Sequence, residues 1–307
     1  MSEIPSQHRS GYVAVIGRPN VGKSSLVNVL LAQKIAAVSA KPQTTRRRQL
    51  GILSLPDVQV VFVDTPGLHV PQHKLGDFMN QEAVESLKDA DLILWLLDAS
   101  VPFTREDRLI ADRLNALRKR AQVIMVLTKV DLVETGTLTD KKQQALELFP
   151  ANDILPVSSV TKDGVEDLLR QIITFMPMGD SFFDDETVTD YFERDIAAEL
   201  IRESVLLYIR DEVPHCVAVR VDGYEERGDE GAYIEATIFV ERDSQKGIII
   251  GKAGEMIKKI GTQARKEIET MSGRKVFLSL RTKVNKNWRN DPDALQLMGY
   301  AASREKG

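Results

Sequence analysis

The sequence predicts a mixed, mostly parallel, doubly wound α/β domain followed by a smaller α+β domain, and three observations predict it. From residue 12 to about 175, short β-rich apolar runs alternate with amphipathic segments of helical length. One run, Leu92–Leu97, is apolar throughout, as a central strand covered by helices on both faces must be. Beyond residue 190 the alternation stops, and helix, two strands, a helical stretch and a last strand follow in a new order.

Strands are expected at Tyr12–Gly17, Gln49–Leu55, Val58–Asp64, Leu92–Asp98, Gln122–Leu127 and Ile154–Val157, with helices around 23–32, 78–88, 104–119, 139–148 and 165–175. Only Pro56-Asp57 separates the second and third strands, so they should form an antiparallel hairpin and make the sheet mixed. The boundaries read as a tail at 1–10, a first domain at 11–177, a linker at 178–190 rich in Pro, Gly and acids, and a second domain with a C-terminal extension at 191–307. In that second domain a helix at 191–211 leads to strands near 215–224 and 232–242, then to helices around Gly251 and a strand at 275–284.

A length of 307 residues suits two domains, and no apolar run approaches the ~20 residues of a membrane span. The N-terminal residues have no apolar secretory core and the single Cys216 has no internal disulfide partner, so a reducing cytoplasm is expected. Cys216 sits in an apolar run and reads as a buried, inert thiol. The net charge of −4 conceals an asymmetry: residues 244–289 carry 12 Lys/Arg against three Glu, a local +9 that leaves −13 elsewhere. A basic block of this kind is the footprint of a polyanion-binding surface.

Between the first strand and helix runs Gly17-Arg18-Pro19-Asn20-Val21-Gly22-Lys23-Ser24, which fits G-x-x-x-x-G-K-[ST] in the context that the phosphate-binding loop requires. Its glycines let backbone N–H groups turn toward a β-phosphate, Lys23 reaches the β- and γ-oxygens, and Ser24 can ligate Mg²⁺. Asp64-Thr65-Pro66-Gly67 ends the third strand, setting a carboxylate near the metal and a glycine N–H toward the γ-phosphate. Thr128-Lys129-Val130-Asp131 selects guanine, because the Asp131 carboxylate can accept from both N1–H and the exocyclic N2–H₂, a donor pair that adenine lacks.

In the second domain, Ile248-Ile249-Ile250-Gly251-Lys252-Ala253-Gly254 precedes a basic amphipathic helix within the order α-β-β-α-α-β, which is the type II KH arrangement. The glycines let the turn approach a sugar–phosphate backbone, Ile250 and its neighbours floor a groove for about four unstacked bases, and Lys252, Lys258, Lys259 and Arg265 can pair with phosphates. Ala253 completes the turn. Trp288, after the last strand, reads as a residue buried at the domain edge in preference to a base-stacking one.

These motifs together, in this order and over residues 11 to about 300, resemble the Era family of GTPases. The resemblance implies GTP hydrolysis with Mg²⁺, binding of the 3′ end of small-subunit ribosomal RNA on the small subunit and a role in small-subunit maturation; it implies nothing about oligomerisation. It makes Lys34–Arg48 switch I, where Thr45, favoured over Thr44, closes on Mg²⁺ beside Ser24 and Asp64; Arg46-Arg47-Arg48 reads equally as an RNA contact or as solvated charge. Thr128 departs from the family's Asn-Lys-x-Asp, so an amide contact to base and loop is in question, while Lys129 lays its stem over the purine. Ser158-Ser159 resembles the Ser-Ala motif whose backbone meets guanine O6. Leu68 stands where Ras-like enzymes place a water-orienting glutamine, which implies slow intrinsic hydrolysis and a K⁺ ion held by Asn20 in place of an arginine finger; Lys23, Asn20, Thr45 and Gly67 form the catalytic set. His69 and His73 read as loop histidines and not as bases. The basic block leaves a peripheral contact with anionic lipid open, without the sustained amphipathic face of an anchor.

The competing expectation, encouraged by Thr128 and Leu68, is a constitutive RNA-binding protein whose P-loop domain holds GDP and hardly turns over. A P-loop ATPase or kinase is disfavoured by Asp131 and by the lack of a recognisable lid or acceptor site.

Overall fold

A computed structural model of the chain describes residues 8–39, 41, 44–117, 121–151, 153–228 and 231–300. The tail at 1–7, Pro42-Gln43 of the predicted switch and the extreme C-terminus at 301–307 lie outside the described residues. The chain divides into two units. One gathers the chain up to Ala36, Thr45–Val70 and Met79–Asp190, and the other gathers Ala37–Thr44, Pro71–Phe78 and the chain from Tyr191 on.

The first unit, with the start of α2 counted in the second, runs β1 (Arg9–Ile16), α1 (Lys23–Leu30), β2 (Gln49–Leu55), β3 (Val58–Asp64), α2 (Lys74–Glu85), β4 (Leu92–Asp98), α3 (Arg105–Asn115), β5 (Gln122–Thr128), α4 (Thr135–Leu148), β6 (Asp153–Val157) and α5 (Val165–Phe175). Its sheet has the order β2-β3-β1-β4-β5-β6. The β2–β3 pair is antiparallel with Leu55 opposite Val58, as the two-residue connection requires, and the other pairs are parallel. The apolar run of β4 behaves as a doubly covered strand must. Leu92, Leu94 and Leu96 join α1 and α5 in one core cluster, while Ile93, Trp95 and Leu97 join α3 and α4 in the other, all six fully buried.

Two sequence expectations are corrected here. The strand β1 begins at Arg9, inside the segment read as a tail, because Arg9 and Ser10 pair with Val58 and Gln59. The segment read as a linker at 178–190 packs on the first unit. The Gln59 side chain accepts from the Phe182 and Phe183 N–H groups and donates to the Phe183 carbonyl, Val188 accepts from the Ile52 N–H, and the Phe182 ring lies 4.9 Å from Tyr12. Polarity suggested a free connector; the backbone groups of this stretch instead find partners on β2 and β3.

The second unit contains α6 (Glu193–Tyr208), β7 (Ala218–Glu226), β8 (Ala232–Val240), α7 (Asp243–Ile250), α8 (Glu255–Ser272), β9 (Val276–Val284) and α9 (Pro292–Leu297). The expected α-β-β-α-α-β order is present, with β7–β8 antiparallel, β8–β9 parallel and β8 central. Ile196, Leu200 and Val205 of α6 and Ile260, Ala264 and Ile268 of α8 cover one face of this sheet. Trp288 is fully buried and its Nε1–H donates to the Cys216 carbonyl at 2.9 Å, while burial pushes the Cys216 thiol pKa up. Trp288→Ala should therefore cost about 3–5 kcal/mol of stability, with a smaller loss for Trp288→Phe, as read by urea denaturation of the full chain.

Candidate nucleotide and RNA sites

The C-terminal ends of β1, β3, β5 and β6 lie at one edge of the first sheet, and the loops that follow them carry the nucleotide motifs. The sequence from Gly17 to Ser24 leads from β1 into α1, so the positive end of the helix dipole and its unpaired N–H groups face the space that a phosphate would fill. Lys23 is buried, and its ammonium donates to the Gly17 and Arg18 carbonyls at 3.2 and 3.0 Å. Burial pulls its pKa down to about 8, against the opposing charge of Asp64. A desolvated ammonium that donates to carbonyls and has no carboxylate in hydrogen-bond contact among the described residues has an unmet demand for an anion.

Ser24, Thr45 and Asp64 converge. The Ser24 hydroxyl lies 2.7 Å from Thr45 Oγ1 and donates to Asp64 Oδ2 at 2.6 Å, and Thr45 donates to the same oxygen at 3.2 Å. Asp64 is fully buried; burial raises its pKa against the Ser24 bond, the Lys23 charge and the Thr45 bond, and its Oδ1 has no hydrogen-bond partner among the described residues. Two hydroxyls and a carboxylate with an unused oxygen are hard donors of the kind Mg²⁺ takes, and the group fits that ion. Thr44, the alternative, turns away: its hydroxyl donates to the Lys41 carbonyl at 2.7 Å. Thr45→Ala should weaken Mg²⁺-dependent binding of a GTP analogue about 5- to 30-fold, with GDP and the Thr44→Ala variant little changed, in titration calorimetry.

Gly67 follows at closest approach to the loop. A Cβ added there would sit 2.7 Å from the Pro19 nitrogen, so only glycine fits. Thr65 ties β3 to β1 by donating to the Val15 carbonyl at 2.7 Å. The Leu68 side chain enters the core beside Ala14 and Ile16, leaving its backbone, which donates to the Gly17 carbonyl at 3.3 Å, to act near the site. His69 Nδ1 lies 2.8 Å from the Gly67 carbonyl. Asn20 has the left-handed φ of 63° in the loop. Arg46 is only 2% exposed and so is neither a solvated charge nor an available RNA contact; Arg47 and Arg48 are exposed.

At the guanine end, the Thr128 hydroxyl donates to the Val21 carbonyl at 2.7 Å. The side chain that departs from the family pattern thus keeps a tie to the phosphate loop. Asp131 is exposed and accepts from the Ser158 hydroxyl at 2.6 Å; the same hydroxyl accepts from the N–H groups of Val160 and Thr161, joining the loops after β5 and β6. Ser159 and Val130 are half-buried alongside.

Asp98 was missed in the sequence. At the end of β4 its carboxylate accepts from Lys129 Nζ at 2.7 Å and lies 3.4 Å from Arg18, holding the two loops in register. Burial pushes its pKa up, but the Lys129 and Ser100 hydrogen bonds and the Lys129 charge outweigh that and hold it below the ordinary range. The signal was there in principle, since a carboxylate closing an apolar strand at the site edge needs a partner.

In the second unit, Gly251-Lys252-Ala253-Gly254 forms the tight turn between α7 and α8. Gly251 has a φ of 72°, and a Cβ there would meet the Met256 Cβ at 2.6 Å. Lys252, Ala253, Lys258, Lys259 and Arg265 are exposed, while Ile250 and Gly254 are half-buried. Lys259 lies 4.4 Å over the Tyr208 ring, which steadies its ammonium without removing its charge from solvent. Among the described residues no helix is long and apolar enough to cross a membrane.

Comparisons with known proteins meet this geometry at both sites. Residues 12–129 match the family model of a 50S ribosome-binding GTPase and residues 212–289 that of a KH domain. The chain is 46% identical over 301 residues to the GTPase Era of Geobacter metallireducens, covering 98% of this chain and 100% of the relative. It is 43% identical over 297 residues to the GTPase Era of Ruminiclostridium cellulolyticum, covering 97% and 99%. Among solved structures it is similar to Era in complex with MgGDPNP and nucleotides 1506–1542 of 16S ribosomal RNA (TM-score 0.91, 36% identity, 96% of this chain and 100% of that one). It is similar to the same degree to a tyrosine-to-alanine variant of Aquifex aeolicus Era bound to GDP·AlF4⁻ (TM-score 0.90, 36% identity, 96% and 100%).

Proposed function

This chain belongs to the Era family of GTPases, and on that premise we propose that it is a GTP-hydrolysing switch that binds the 3′ end of 16S ribosomal RNA and assists small-subunit assembly. The observation that carries the reading is the convergence of half-buried Thr45 on buried Lys23, Ser24 and Asp64 at one end of a site whose other end presents Asp131. We assign GTP hydrolysis to residues 11–177 and RNA binding to 191–307, a reading supported by the GTPase match at 12–129 and the KH match at 212–289.

In this reading Lys23 and the N-terminus of α1 bind the β- and γ-phosphates, and Asp131, oriented by Ser158, accepts from guanine N1–H and N2–H₂. Ser24, Thr45 and Asp64 would hold Mg²⁺, which when bound supplies positive charge to the phosphate oxygens. Thr45 stands on the switch I segment, so its hold on that group is expected to tighten when a γ-phosphate is present. Hydrolysis releases Thr45, and the change alters RNA holding. With Leu68 in the core, no side chain is supplied from that position to orient water, and intrinsic turnover is slow. Asn20 would hold a K⁺ ion, whose charge would stand in for an arginine finger. The basic block at 244–289 touches anionic lipid peripherally, which co-sedimentation with anionic vesicles tests.

The test is GTP turnover in KCl and in NaCl at equal ionic strength, with and without an RNA of the 16S 3′ end. Stimulation by K⁺ and by RNA is expected. Tight GTP and RNA binding with no turnover in any condition would sink the switch reading in favour of a constitutive RNA-binding protein. RNA affinity identical in the nucleotide-free, GDP and GTP-analogue states would refute the coupling.

A further inference from the structure

The outward face of the second unit's sheet carries a feature that the groove at Gly251–Gly254 does not use. Strand residues two apart on one face stand about 7 Å apart along the strand. On β9, an edge strand, the outward set is Phe277, Ser279, Arg281 and Lys283, all exposed. Phe277 lies opposite Tyr233 of β8, and the two rings stack with centroids 5.2 Å apart and planes within 13°. The Arg227 guanidinium lies over Tyr233 at 5.0 Å. The sheet order sets Arg227, Tyr233 and Phe277 in a row from the β7 side to the open β9 edge, and Phe277, the last plane, is 65% exposed. Four residues along, Arg281 is pre-set: its Nε donates to Thr237 Oγ1 at 2.7 Å and its Nη2 to Asp222 Oδ2 at 2.9 Å, yet its side chain stays 56% exposed.

A stacked aromatic ending at an open edge, followed by held cations, matches what single-stranded nucleic acid asks of a protein: a π-face for a base and charges for the backbone. Charge argues for RNA over a protein partner along the edge itself: Lys275, Arg281 and Lys283 are exposed there and β9 holds no acidic residue, the acids of this face, Asp222, Glu225 and Glu235, standing on β7 and β8 and Asp222 pairing with Arg281. Continuity argues the same. The strand β9 lies beside α8, where Gly261 comes close enough that an added Cβ would meet Leu280 at 3.3 Å, and α8 begins at the Gly254 turn.

We propose that Phe277 is a base-stacking platform for RNA that continues beyond the four-base groove and across the β9 edge, with Arg281 and Lys283 taking its phosphates. The proposal rests on the RNA-binding reading of the KH-type unit and extends its footprint to the opposite face of the sheet.

The experiment uses the full chain with a four-nucleotide RNA and with longer single-stranded RNAs extended at either end. Phe277→Ala should weaken binding of one extended series about 5- to 150-fold, the range of one lost base stack, and leave the four-nucleotide affinity unchanged. Phe277→Trp adds an exposed tryptophan to a chain whose Trp95 and Trp288 are both fully buried, so its fluorescence should be quenched by the extended RNA and not by the short one. An affinity of Phe277→Ala within twofold of the parent for every extended RNA would overturn the platform. So would fluorescence of the Phe277→Trp variant that follows protein concentration without RNA, which would make the face a contact between copies. If the parent chain binds neither length of RNA, the RNA-binding reading fails first, and the two failures are distinct.

Discussion

Asp131→Asn should lower affinity for GTP and GDP by about 10² to 10⁴ and bring in affinity for the xanthine nucleotides. The carboxylate offers guanine two acceptors, each charge-assisted bond being worth about 1.5–3 kcal/mol; the substitution weakens one and turns the other into a clash of donors, together about 3–6 kcal/mol. An asparagine keeps one acceptor, for N1–H, and turns a donor toward position 2. Guanine has an amine there and repels it, whereas xanthine has a carbonyl and accepts it. The substitution leaves the fold untouched for a visible reason: Asp131 is exposed, and the Ser158 hydroxyl that orients it can donate to an amide oxygen as it does to a carboxylate. Equilibrium competition between GDP and XDP reads the result. A loss of less than about fivefold for GDP would mean that Asp131 does not read the base.

The second large effect is expected in the RNA site. Replacing Lys252 and Ala253 together with Asp should reduce RNA affinity at least 100-fold while leaving nucleotide affinity unchanged. The change deletes one cation and sets two anions where a phosphate must approach, and like charges in contact cost several kcal/mol. Both residues are exposed, and Ala253 already has the left-handed backbone (φ 51°, ψ 25°) that Asp tolerates better than most residues, so the turn survives. Gly251 is the wrong position for this test, because a side chain there collides with Met256. Fluorescence anisotropy across a salt series gives the answer; the remaining affinity should also fall less steeply with salt, one phosphate contact having gone. Full RNA affinity in the double variant would place the binding surface elsewhere.

Much of this protein was legible before folding. The strand β4 was legible because six apolar residues closed by one Asp suit a doubly covered strand, and the β2–β3 hairpin because two residues cannot make a crossover. Other features were not legible, each for a local reason. The 178–190 segment is polar and rich in turn residues, which states what its side chains prefer and not where its N–H and C=O groups find partners. Arg46 is one of three consecutive arginines, yet it is buried while its two neighbours are exposed, a difference that no charge count contains.

The sequence by itself determined which two chemistries to expect, since the residue types and intervals of Gly17–Ser24, Asp64–Gly67, Thr128–Asp131 and Gly251–Gly254 are those that phosphate, Mg²⁺, guanine and RNA backbone ask of a protein. Tertiary structure alone decided which hydroxyl of Thr44 and Thr45 meets Asp64, that Thr128 ties back to Val21, that Asp98 braces Lys129 and Arg18, and that Phe277 ends a row of stacked planes at an open edge. The physical reason is the range of the forces involved. Motif chemistry is local along the chain, whereas hydrogen bonds and ring stacking act over a few ångströms between residues tens of positions apart, and only the packed backbone brings those residues within reach.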